Sequence, residues 1–454
     1  MRKIAVFLFV LLSIQLSAQE QDTLKSYSLS LEEAIVLGLQ NNYSSRRSQK
    51  DIEKALKQKW EIISQGLPQL TGNVDYQNFL KQPVTLIPAE IAGGEPGTFT
   101  PVRFGTKQSL NAAATWNQLI FDGSYIVGVQ SVKTLLQLSK NAKIKTDIEV
   151  KKAIINAYGN VLLAEQSVEI LMQNLETVRK NFSDTQKIYD NGLAEEEDVE
   201  RLEITLLGLQ NSLSRSERMR DLSYEMLNLA LGLPNETEVT LTQELEELTL
   251  QYYDLSLLAR EIEVEETIDY RIAFNNTEYA KIQERLEKAK ALPSLTGFVN
   301  YGYQGFSESF SFFNKDQDYF AQSVLGVSLN IPIFSSGMRS SRTAQRKIEY
   351  EQALLDLEET QSEVKLQIAT AKSDYEFSIE NLETQKRSLA LAERIEDKNQ
   401  IKFFEGLASS FELSEAQTQL FQAQQNYLQA MLELINSKVE LESFIDTNLD
   451  QNEN

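Results

Sequence analysis

The 454-residue sequence contains neither cysteine nor histidine. These absences exclude disulfides, thiol nucleophiles and imidazole bases, and they remove the usual nitrogen and sulfur ligands of zinc. The sequence also lacks the G-x-x-x-x-G-K motif of a phosphate-binding loop. Carboxylates, serine and lysine remain, so an enzyme loses its commonest catalytic groups without being strictly excluded. We predict no catalytic, cofactor or metal site.

Positive charge is scarce. Lysine and arginine total 44 against 66 aspartates and glutamates, which gives a formal net charge of -22. Binding to a phosphate backbone needs clustered cations. The charge balance therefore argues against a nucleic-acid partner.

Proline is also scarce, with eight in the whole chain. Residues 102–233 and 333–454 contain none. Proline breaks the backbone hydrogen bonds of a helix, and both stretches are rich in the helix formers Gln, Glu, Ala and Leu. Each stretch is therefore predicted to hold long, uninterrupted helices.

Long hydrophobic runs are absent after the first eighteen residues. Arg2 and Lys3 precede an apolar run at 4–12, and residues 16–18 form a cleavage site before Gln19. This order is typical of a signal peptide, which we assign to residues 1–18. The alternative, an N-terminal membrane anchor, is disfavoured because the apolar run is short for a membrane span. No later segment approaches 18 consecutive apolar residues, so the mature chain is predicted to have no transmembrane helix.

The chain repeats itself. Three motifs recur in the same order at a nearly constant offset: LPQLTG at 67–72 and LPSLTG at 292–297, NQLIFDG at 117–123 and NIPIFSSG at 330–337, YDNGLA at 189–194 and FFEGLA at 403–408. Ordered recurrence indicates a tandem duplication. We assign the two repeats to residues 19–233 and 266–446, the joint to 234–265, and a polar tail to 447–454.

Each repeat is predicted to run helix, strand hairpin, long helical hairpin. The first helix should begin after Ser30, which with Glu33 forms a capping box, and should continue to about Gln65. The strand hairpins are assigned to 70–121 and 295–334.

The predicted strands alternate between apolar and polar residues. One face takes the following residues: Leu70, Gly72, Val74, Tyr76; Leu110, Ala112, Ala114, Trp116; Leu295, Gly297, Val299, Tyr301, Tyr303; Leu325, Val327, Leu329, Ile331, Ile333. Runs of about ten residues suit tilted strands that cross a bilayer. A soluble sandwich with one wet face explains the alternation equally well.

The two loops between the predicted strands differ in kind. Residues 81–107 contain four prolines and four glycines, which predicts an irregular excursion. Residues 304–322 contain six aromatic residues: Phe306, Phe310, Phe312, Phe313, Tyr319 and Phe320. They suit an interfacial girdle beside membrane-crossing strands or a local hydrophobic cluster.

The long helices carry apolar residues at alternating steps of three and four, the pattern of coiled-coil seams. The seam positions are the following: Val168, Leu171, Leu175, Val178, Phe182; Val199, Leu202, Leu206, Leu209, Leu213; Leu354, Leu357, Gln361, Val364, Ile368, Ala371, Tyr375, Ser378, Leu382; Leu413, Ala416, Leu420, Ala423, Tyr427, Ala430, Leu434. A helix of about 65–70 residues is about 100 Å long. Such a length suits a structure that spans a compartment.

With these features the chain resembles the TolC-like outer-membrane efflux family. The resemblance lies in the signal peptide, the opening SLSLEEAIVLGLQNN at 28–42, the repeats, the strand hairpins, and the turns YDNGLAEEEDV at 189–199 and FFEGLASSFEL at 403–413. It implies an α+β membrane protein in which a long α-helical coiled-coil barrel joins a transmembrane β-barrel. By the same resemblance, a homotrimer would build that barrel from four strands per chain.

The resemblance also implies location and partners. The protein would be an outer-membrane channel of a tripartite efflux or type I secretion system, extending into the periplasm. A periplasmic adaptor and an inner-membrane pump of the RND or ABC type would dock at the helical tip, and outer-membrane lipid would surround the barrel. Such a duct is passive, so its partners supply the energy.

The resemblance places a periplasmic gate near the two tip turns, Gly192-Leu193 and Gly406-Leu407. The family carries acidic residues six and nine positions after the second glycine, which are Glu412 and Glu415 here. An ordinary solvated helix face explains these residues as well.

The first repeat contributes Asp198, six positions after its glycine. Its family partner is an arginine where this chain has Ala408, and the family tyrosine is Phe403 here. The polar lock of the family is therefore incomplete, and Arg201 is a candidate substitute counter-charge for Asp198.

Two other classes of protein compete with the channel. A periplasmic coiled-coil adaptor would use long helices, but it usually has one helical hairpin and would leave the strands without a role. A glycosidase needs only two carboxylates beside a cleft, yet the sequence shows no such constellation.

Overall fold

The computed structural model describes residues 26–445. The predicted signal peptide and the polar tail at 447–454 lie outside the described residues. The described chain forms two compact units. The helical unit takes in the chain up to Asp51, Lys140–Ile272 and the chain from Glu358; the strand unit takes in Ile52–Ser139 and Ala273–Leu357. Each unit contains segments of both predicted repeats.

Nine α-helices occur between residues 26 and 445: α1 Leu31–Asn41, α2 Tyr43–Ser64, α3 Gly123–Asp190, α4 Glu196–Leu231, α5 Leu245–Tyr252, α6 Ser256–Ala259, α7 Ile268–Ala289, α8 Met338–Phe404 and α9 Ser410–Glu442. Short 3₁₀ helices span Ala89–Ala92 and Val264–Glu266. The two longest helices, α3 with 68 residues and α8 with 67, have the lengths that the proline-free stretches predict.

Eight strands occur in the same part of the chain: β1 Tyr27–Leu29, β2 Gln69–Asn78, β3 Thr85–Pro88, β4 Phe99–Val102, β5 Gln108–Asp122, β6 Val239–Leu241, β7 Ser294–Ser307 and β8 Tyr319–Asn330. Four of them form one antiparallel sheet in the order β2-β5-β7-β8. β1 pairs in parallel with β6, and β3 pairs with β4.

The core of the helical unit lies where α1, α3, α4, α8 and α9 meet the segment between α4 and α7. Tyr158 and Tyr375 are its largest fully buried side chains. The Tyr158 hydroxyl donates to the Leu29 carbonyl at 3.1 Å, which ties β1 to α3. The parallel β1–β6 pair was not predicted, because three-residue strands leave too little periodicity to be recognised.

The sequence predicts one helix from Ser30 to about Gln65. The structure has two helices instead, with a break at Asn42. The capping box of Ser30 and Glu33 is confirmed. Asn42 leaves helical geometry, and its side-chain amide donates to the Ala230 carbonyl at 2.8 Å. Gly232, at the end of α4, lies so close that an added Cβ would be 2.4 Å from the Asn41 carbonyl oxygen. The end of α4 therefore fixes the break, which local helix propensity could not reveal.

Two predictions for the strand unit were also wrong in part. β8 ends at Asn330, so Ile331 and Ile333 lie outside the strand, because Pro332 cannot donate a hydrogen bond to a strand ladder. The loop at 81–107 is not wholly irregular, since β3 and β4 form a short ribbon around the 3₁₀ turn Ala89–Ala92.

The coiled-coil seams are confirmed over most of their length. From Val364 to Leu382 the predicted α8 positions are buried, and α3 and α4 bury Val178 and Leu202 completely. The predicted seam positions Leu354 and Gln361 are exposed. Among the described residues of α8, burial begins at Val364.

Candidate functional site

The strand unit presents two chemically different faces. The register sets Leu70, Trp116, Val299 and Leu325 directly opposite one another across all four strands. Because side chains alternate along a strand, the predicted apolar residues of the four strands share this face. The opposite face carries mainly polar side chains: Thr71, Asn73, Asp75, Gln77, Ser109, Asn111, Thr115, Asn117, Asn300, Gln304, Gln322 and Ser328.

The apolar face is uncovered in the single chain. Leu325 is 79% exposed, Leu70 74% and Val74 73%. Apolar patches of this kind mark surfaces that contact lipid or protein. On the polar face, the Asn300 amide donates to the Thr115 hydroxyl at 2.7 Å, so hydrogen bonds link neighbouring strands there.

The two outer strands of this sheet, β2 and β8, each pair along one side only among residues 26–445. A free strand edge exposes unpaired N–H and C=O groups. Both edges of the sheet are therefore available for pairing with a further strand.

The aromatic loop between β7 and β8 folds over the hairpin end of the apolar face. Tyr76 of β2 makes edge-to-face ring contacts with Phe310 and Phe312, at centroid distances of 5.6 and 5.9 Å. The Tyr319 hydroxyl donates to the Phe312 carbonyl at 2.6 Å. Phe312 is buried and Phe313 is exposed. Four of the six predicted aromatic residues therefore form a local cluster with Tyr76 on the apolar face: Phe310, Phe312, Phe313 and Tyr319. The other two, Phe306 and Phe320, lie opposite polar-face residues and contact each other at a centroid distance of 6.2 Å.

The predicted tip turns lie in the helical unit and share one geometry. Gly192 and Gly406 both adopt left-handed backbone angles, with φ of 74° and 73°. The amide of Leu193 donates to the Ile188 carbonyl at 3.0 Å, and that of Leu407 to the Lys402 carbonyl at 2.7 Å. These bonds, with the glycine amides donating to Tyr189 and Phe403, form the Schellman motif that ends a helix. Both leucines remain exposed.

The structure brings the residues that follow the two turns together. The Thr205 hydroxyl of α4 and the Ser414 hydroxyl of α9 are 2.9 Å apart. The Arg201 guanidinium lies over the Phe411 ring, 5.4 Å from its centroid. Leu202 and Leu413 are fully buried beside them. The starts of α4 and α9 therefore pack as one cluster.

Glu412 serves as a helix cap. Its carboxylate accepts hydrogen bonds from the Ser409 backbone amide at 2.8 Å and from the Ser409 hydroxyl at 3.1 Å. The amide hydrogen bond is the main reason that the pKa of Glu412 is lowered. Because the pKa of Glu412 is lowered in the folded state, the cap stabilises the protein at any pH above the pKa of an unfolded glutamate. This stabilisation is lost as the pH falls through the folded-state pKa. The pattern Ser-x-x-Glu at 409–412 made this capping box readable from the sequence.

The other predicted gate residues have local partners as well. Asp198 accepts from the Glu195 amide at 3.3 Å, and Glu415 accepts from the Gln419 side chain at 2.9 Å. Among the residues that the structure describes, Arg201 forms its ion pair with Glu197 and not with Asp198. The role of counter-charge to Asp198 stays a prediction.

Replacing Gly406 by alanine is expected to destabilise the protein by about 1–2 kcal/mol. The reason is that a residue with a Cβ is strained at this positive φ. No atom lies within 4 Å of the position that a Cβ would take. Thermal unfolding of the purified protein measures the effect.

The matched control is Gly208→Ala in α4, where the added Cβ also meets no atom within 4 Å and φ is ordinary. This variant should be about 1 kcal/mol more stable, because alanine has a higher helix propensity than glycine. If both variants changed the melting temperature equally, the loss of stability in Gly406→Ala could not be assigned to the left-handed turn.

No group of three or more acidic residues that could hold a metal ion occurs within residues 26–445. The same part of the chain contains no helix that is both long and apolar enough to cross a membrane.

Comparison with known proteins identifies what the chain resembles. Residues 276–445 match the outer membrane efflux protein family. The chain is 23% identical over 350 residues to outer membrane protein TolC of Vibrio cholerae, a match that covers 74% of this chain and 77% of that protein.

Solved structures agree with this match. The outer membrane protein VceC of Vibrio cholerae aligns with a TM-score of 0.69 at 15% identity, over 91% of this chain and 95% of VceC. The CmeC outer membrane channel of Campylobacter jejuni aligns with a TM-score of 0.70 at 14% identity, over 93% of this chain and 87% of CmeC. The predicted resemblance is confirmed, and so is the predicted combination of a long helical domain with a β domain. The trimer with four strands per chain stays a prediction.

Proposed function

We propose that this chain, which carries an outer membrane efflux protein domain and has the fold of the outer-membrane efflux channels, forms the outer-membrane duct of a tripartite efflux or type I secretion system. The coarser statement, an outer-membrane channel for efflux that extends into the periplasm, rests on the family and relatives that it matches. The family consists of channels rather than enzymes. The passive duct and its gate are the finer proposal.

The observation that carries the proposal is the four-stranded sheet with one apolar face, one polar face and two free edges. Backbone groups cannot remain unpaired in lipid, so a membrane-spanning sheet must close on itself. A homotrimer closes it by pairing β2 of one copy with β8 of the next, which gives twelve strands from three chains. The apolar face then meets outer-membrane lipid and the polar face lines the pore.

The two tip turns are the proposed docking site for partners. Leu193 and Leu407 are exposed at the two Schellman turns, and Phe411 is exposed one turn further on. Exposed apolar side chains on rigid turns suit recognition by a periplasmic adaptor. The adaptor would connect the duct to an inner-membrane pump of the RND or ABC type, which supplies the energy.

The gate is proposed to lie next to these turns. Three copies of Glu412 and Glu415 would place six carboxylates around the threefold axis, with Asp198 and Arg201 on the neighbouring helix. A ring of carboxylates attracts cations and favours their passage or binding. The capping bonds to Ser409 hold the Glu412 carboxylate in the ionised form, which supports a charged ring at neutral pH.

Exchanging both Glu412 and Glu415 for glutamine is expected to weaken block of the channel by divalent cations by about tenfold or more. One unit-charge attraction at close range in water is about 1 kcal/mol, and every 1.4 kcal/mol is a factor of ten. Glutamine is chosen because it keeps the capping box at Ser409, whereas alanine would also remove the cap. Single-channel recording of purified protein in planar bilayers measures both the conductance and the block.

Glu376→Gln with Glu380→Gln provides the control, since both residues are exposed on α8 away from the turns. Unchanged block in the tip variant would reject the gate and leave the channel intact. Absence of any conductance from the wild-type protein would reject the duct itself.

The adaptor alternative explains the long helices but assigns no role to an amphipathic sheet with two free edges. The glycosidase alternative needs two carboxylates that face each other across a cleft. Glu412 and Asp198 instead cap helix starts, which does not favour that chemistry.

A further inference from the structure

Three helices bury polar side chains close to the tip turns. On α3 the buried residues after Val178 are Asn181 and Thr185. On α8 the buried residue after Ala392 is Glu396, and on α9 Gln417 follows Ala416. Four polar side chains therefore occupy positions that a coiled coil fills with apolar residues.

Two cross-helix hydrogen bonds involve three of these four side chains. The Gln417 amide donates to the Glu396 carboxylate at 3.4 Å, and the Gln400 amide donates to the Asn181 side-chain oxygen at 3.3 Å. Glu396 and Gln400 are four residues apart on α8, so they lie on the same helix face. Asn181 and Thr185 have the same spacing on α3. We call these five residues, Asn181, Thr185, Glu396, Gln400 and Gln417, the polar layer.

The polar layer is incompletely hydrogen-bonded by protein. The Asn181 amide nitrogen, the Thr185 hydroxyl and the Gln417 side-chain oxygen are buried without a partner among the described residues. Thr185 is fully buried, and Asn181 and Gln417 are 1% exposed. Both bonds that the layer does make are long. Burial also raises the pKa of Glu396, so ionisation of its carboxyl is disfavoured there.

Buried polar groups without protein partners either bind ordered water or destabilise the structure that encloses them. Three such atoms, on α3 and α9, are groups of the kind that a buried water takes as its two to four polar partners. In a hydrated layer, water molecules that exchange with solvent take the place of direct contacts between the helices. The last turns of α3 and α8, residues 186–190 and 397–404, bury no side chain. They are then held less firmly than the apolar seams on the other side of the layer.

We propose that the polar layer is a hydrated joint, a water-binding site inside the helical unit at which the last turns of α3 and α8 open locally. The ligand is water, recognised by the Thr185 hydroxyl, the Asn181 amide and the Gln417 oxygen. If the chain is the gated duct proposed above, the joint lies where the gate must move; that consequence rests on the proposed function, but the joint itself does not.

Amide hydrogen exchange of the full-length protein in detergent, followed by mass spectrometry, tests the joint. Thr185→Val keeps the shape of the side chain and removes a hydroxyl that has no partner. Exchange in the last turns of α3 and α8 is expected to slow by about tenfold, because valine removes one of the three groups that hold water and an apolar side chain of the same shape favours direct packing. Glu396→Leu combined with Gln417→Leu, which removes both members of a buried pair, should slow exchange in the same segments.

Thr277→Val is the matched control. Thr277 is also buried, but its hydroxyl bonds the Ala273 and Ala353 carbonyls at 3.1 and 3.0 Å. The same substitution there removes satisfied bonds, so exchange near the tip turns should stay unchanged. Unchanged or faster exchange near the tip in Thr185→Val and in the double variant would overturn the joint. Equal slowing by Thr277→Val would overturn it too. Neither result depends on whether the protein conducts.

Discussion

Arginine in place of Leu325 is expected to remove the protein from the outer-membrane fraction. Leu325 lies near the middle of β8, on the apolar face, and is 79% exposed in the single chain. A charged side chain on the lipid face near the bilayer midplane costs roughly 2–4 kcal/mol. Three copies in one barrel would raise the cost to roughly 6–12 kcal/mol. Membrane fractionation, followed by sizing of the detergent-extracted protein, measures the loss.

Gln322→Arg on the same strand is the control for this prediction. Gln322 lies opposite Gly302 on the polar face, so its replacement would point into the proposed pore. This variant should assemble normally and change only the ion selectivity of the channel. If both variants reached the outer membrane equally well, the apolar face would not contact lipid. The alternative interpretation of the strands, a soluble sandwich, would then be favoured.

Tyr375→Ala is expected to lower the stability of the helical unit by about 3–5 kcal/mol, the usual loss for truncating a buried aromatic side chain. Tyr375 of α8 is fully buried. Its hydroxyl accepts from the Asp254 amide and donates to the Tyr252 carbonyl, both at 2.8 Å. These hydrogen bonds therefore hold the segment between α4 and α7 against α8. Thermal unfolding of the extracted protein, with exchange in residues 245–260 as a local probe, measures the effect.

Tyr375→Phe separates the two contributions. Phenylalanine keeps the packing and loses only the hydroxyl, which leaves the Asp254 amide short of a partner and costs about 1–3 kcal/mol. We expect faster exchange at 252–256 with a smaller fall in melting temperature than for alanine. A phenylalanine variant as unstable as the alanine variant would show that the hydrogen bonds, and not the packing, hold the segment.

The candidate site was partly readable from the sequence. The two glycine turns follow from the paired motifs at 189–194 and 403–408, and both adopt the same left-handed geometry. The Ser409–Glu412 capping box also follows from residue spacing. The stacking of Arg201 on Phe411 joins residues 210 positions apart in the chain, and no local pattern announces such a contact.

The polar layer shows the same limit. Asn181 and Gln417 are ordinary residues of solvated helices, and their burial depends on which helices pack against them. Sequence periodicity located the seams and placed Ser378 in one of them, but it did not identify Asn181 or Gln417 as enclosed.

The sequence by itself determined the elements that depend on local chemistry. The absence of proline allowed helices of 68 and 67 residues, strand alternation separated an apolar from a polar face, and glycine fixed the ends of α3 and α8. Only the tertiary structure decided the break at Asn42, the register that sets Leu70, Trp116, Val299 and Leu325 in one row, and the burial of a polar layer near the turns. The physical reason is that local elements follow from the propensity and spacing of neighbouring residues, whereas these features come from contacts between segments far apart in the chain.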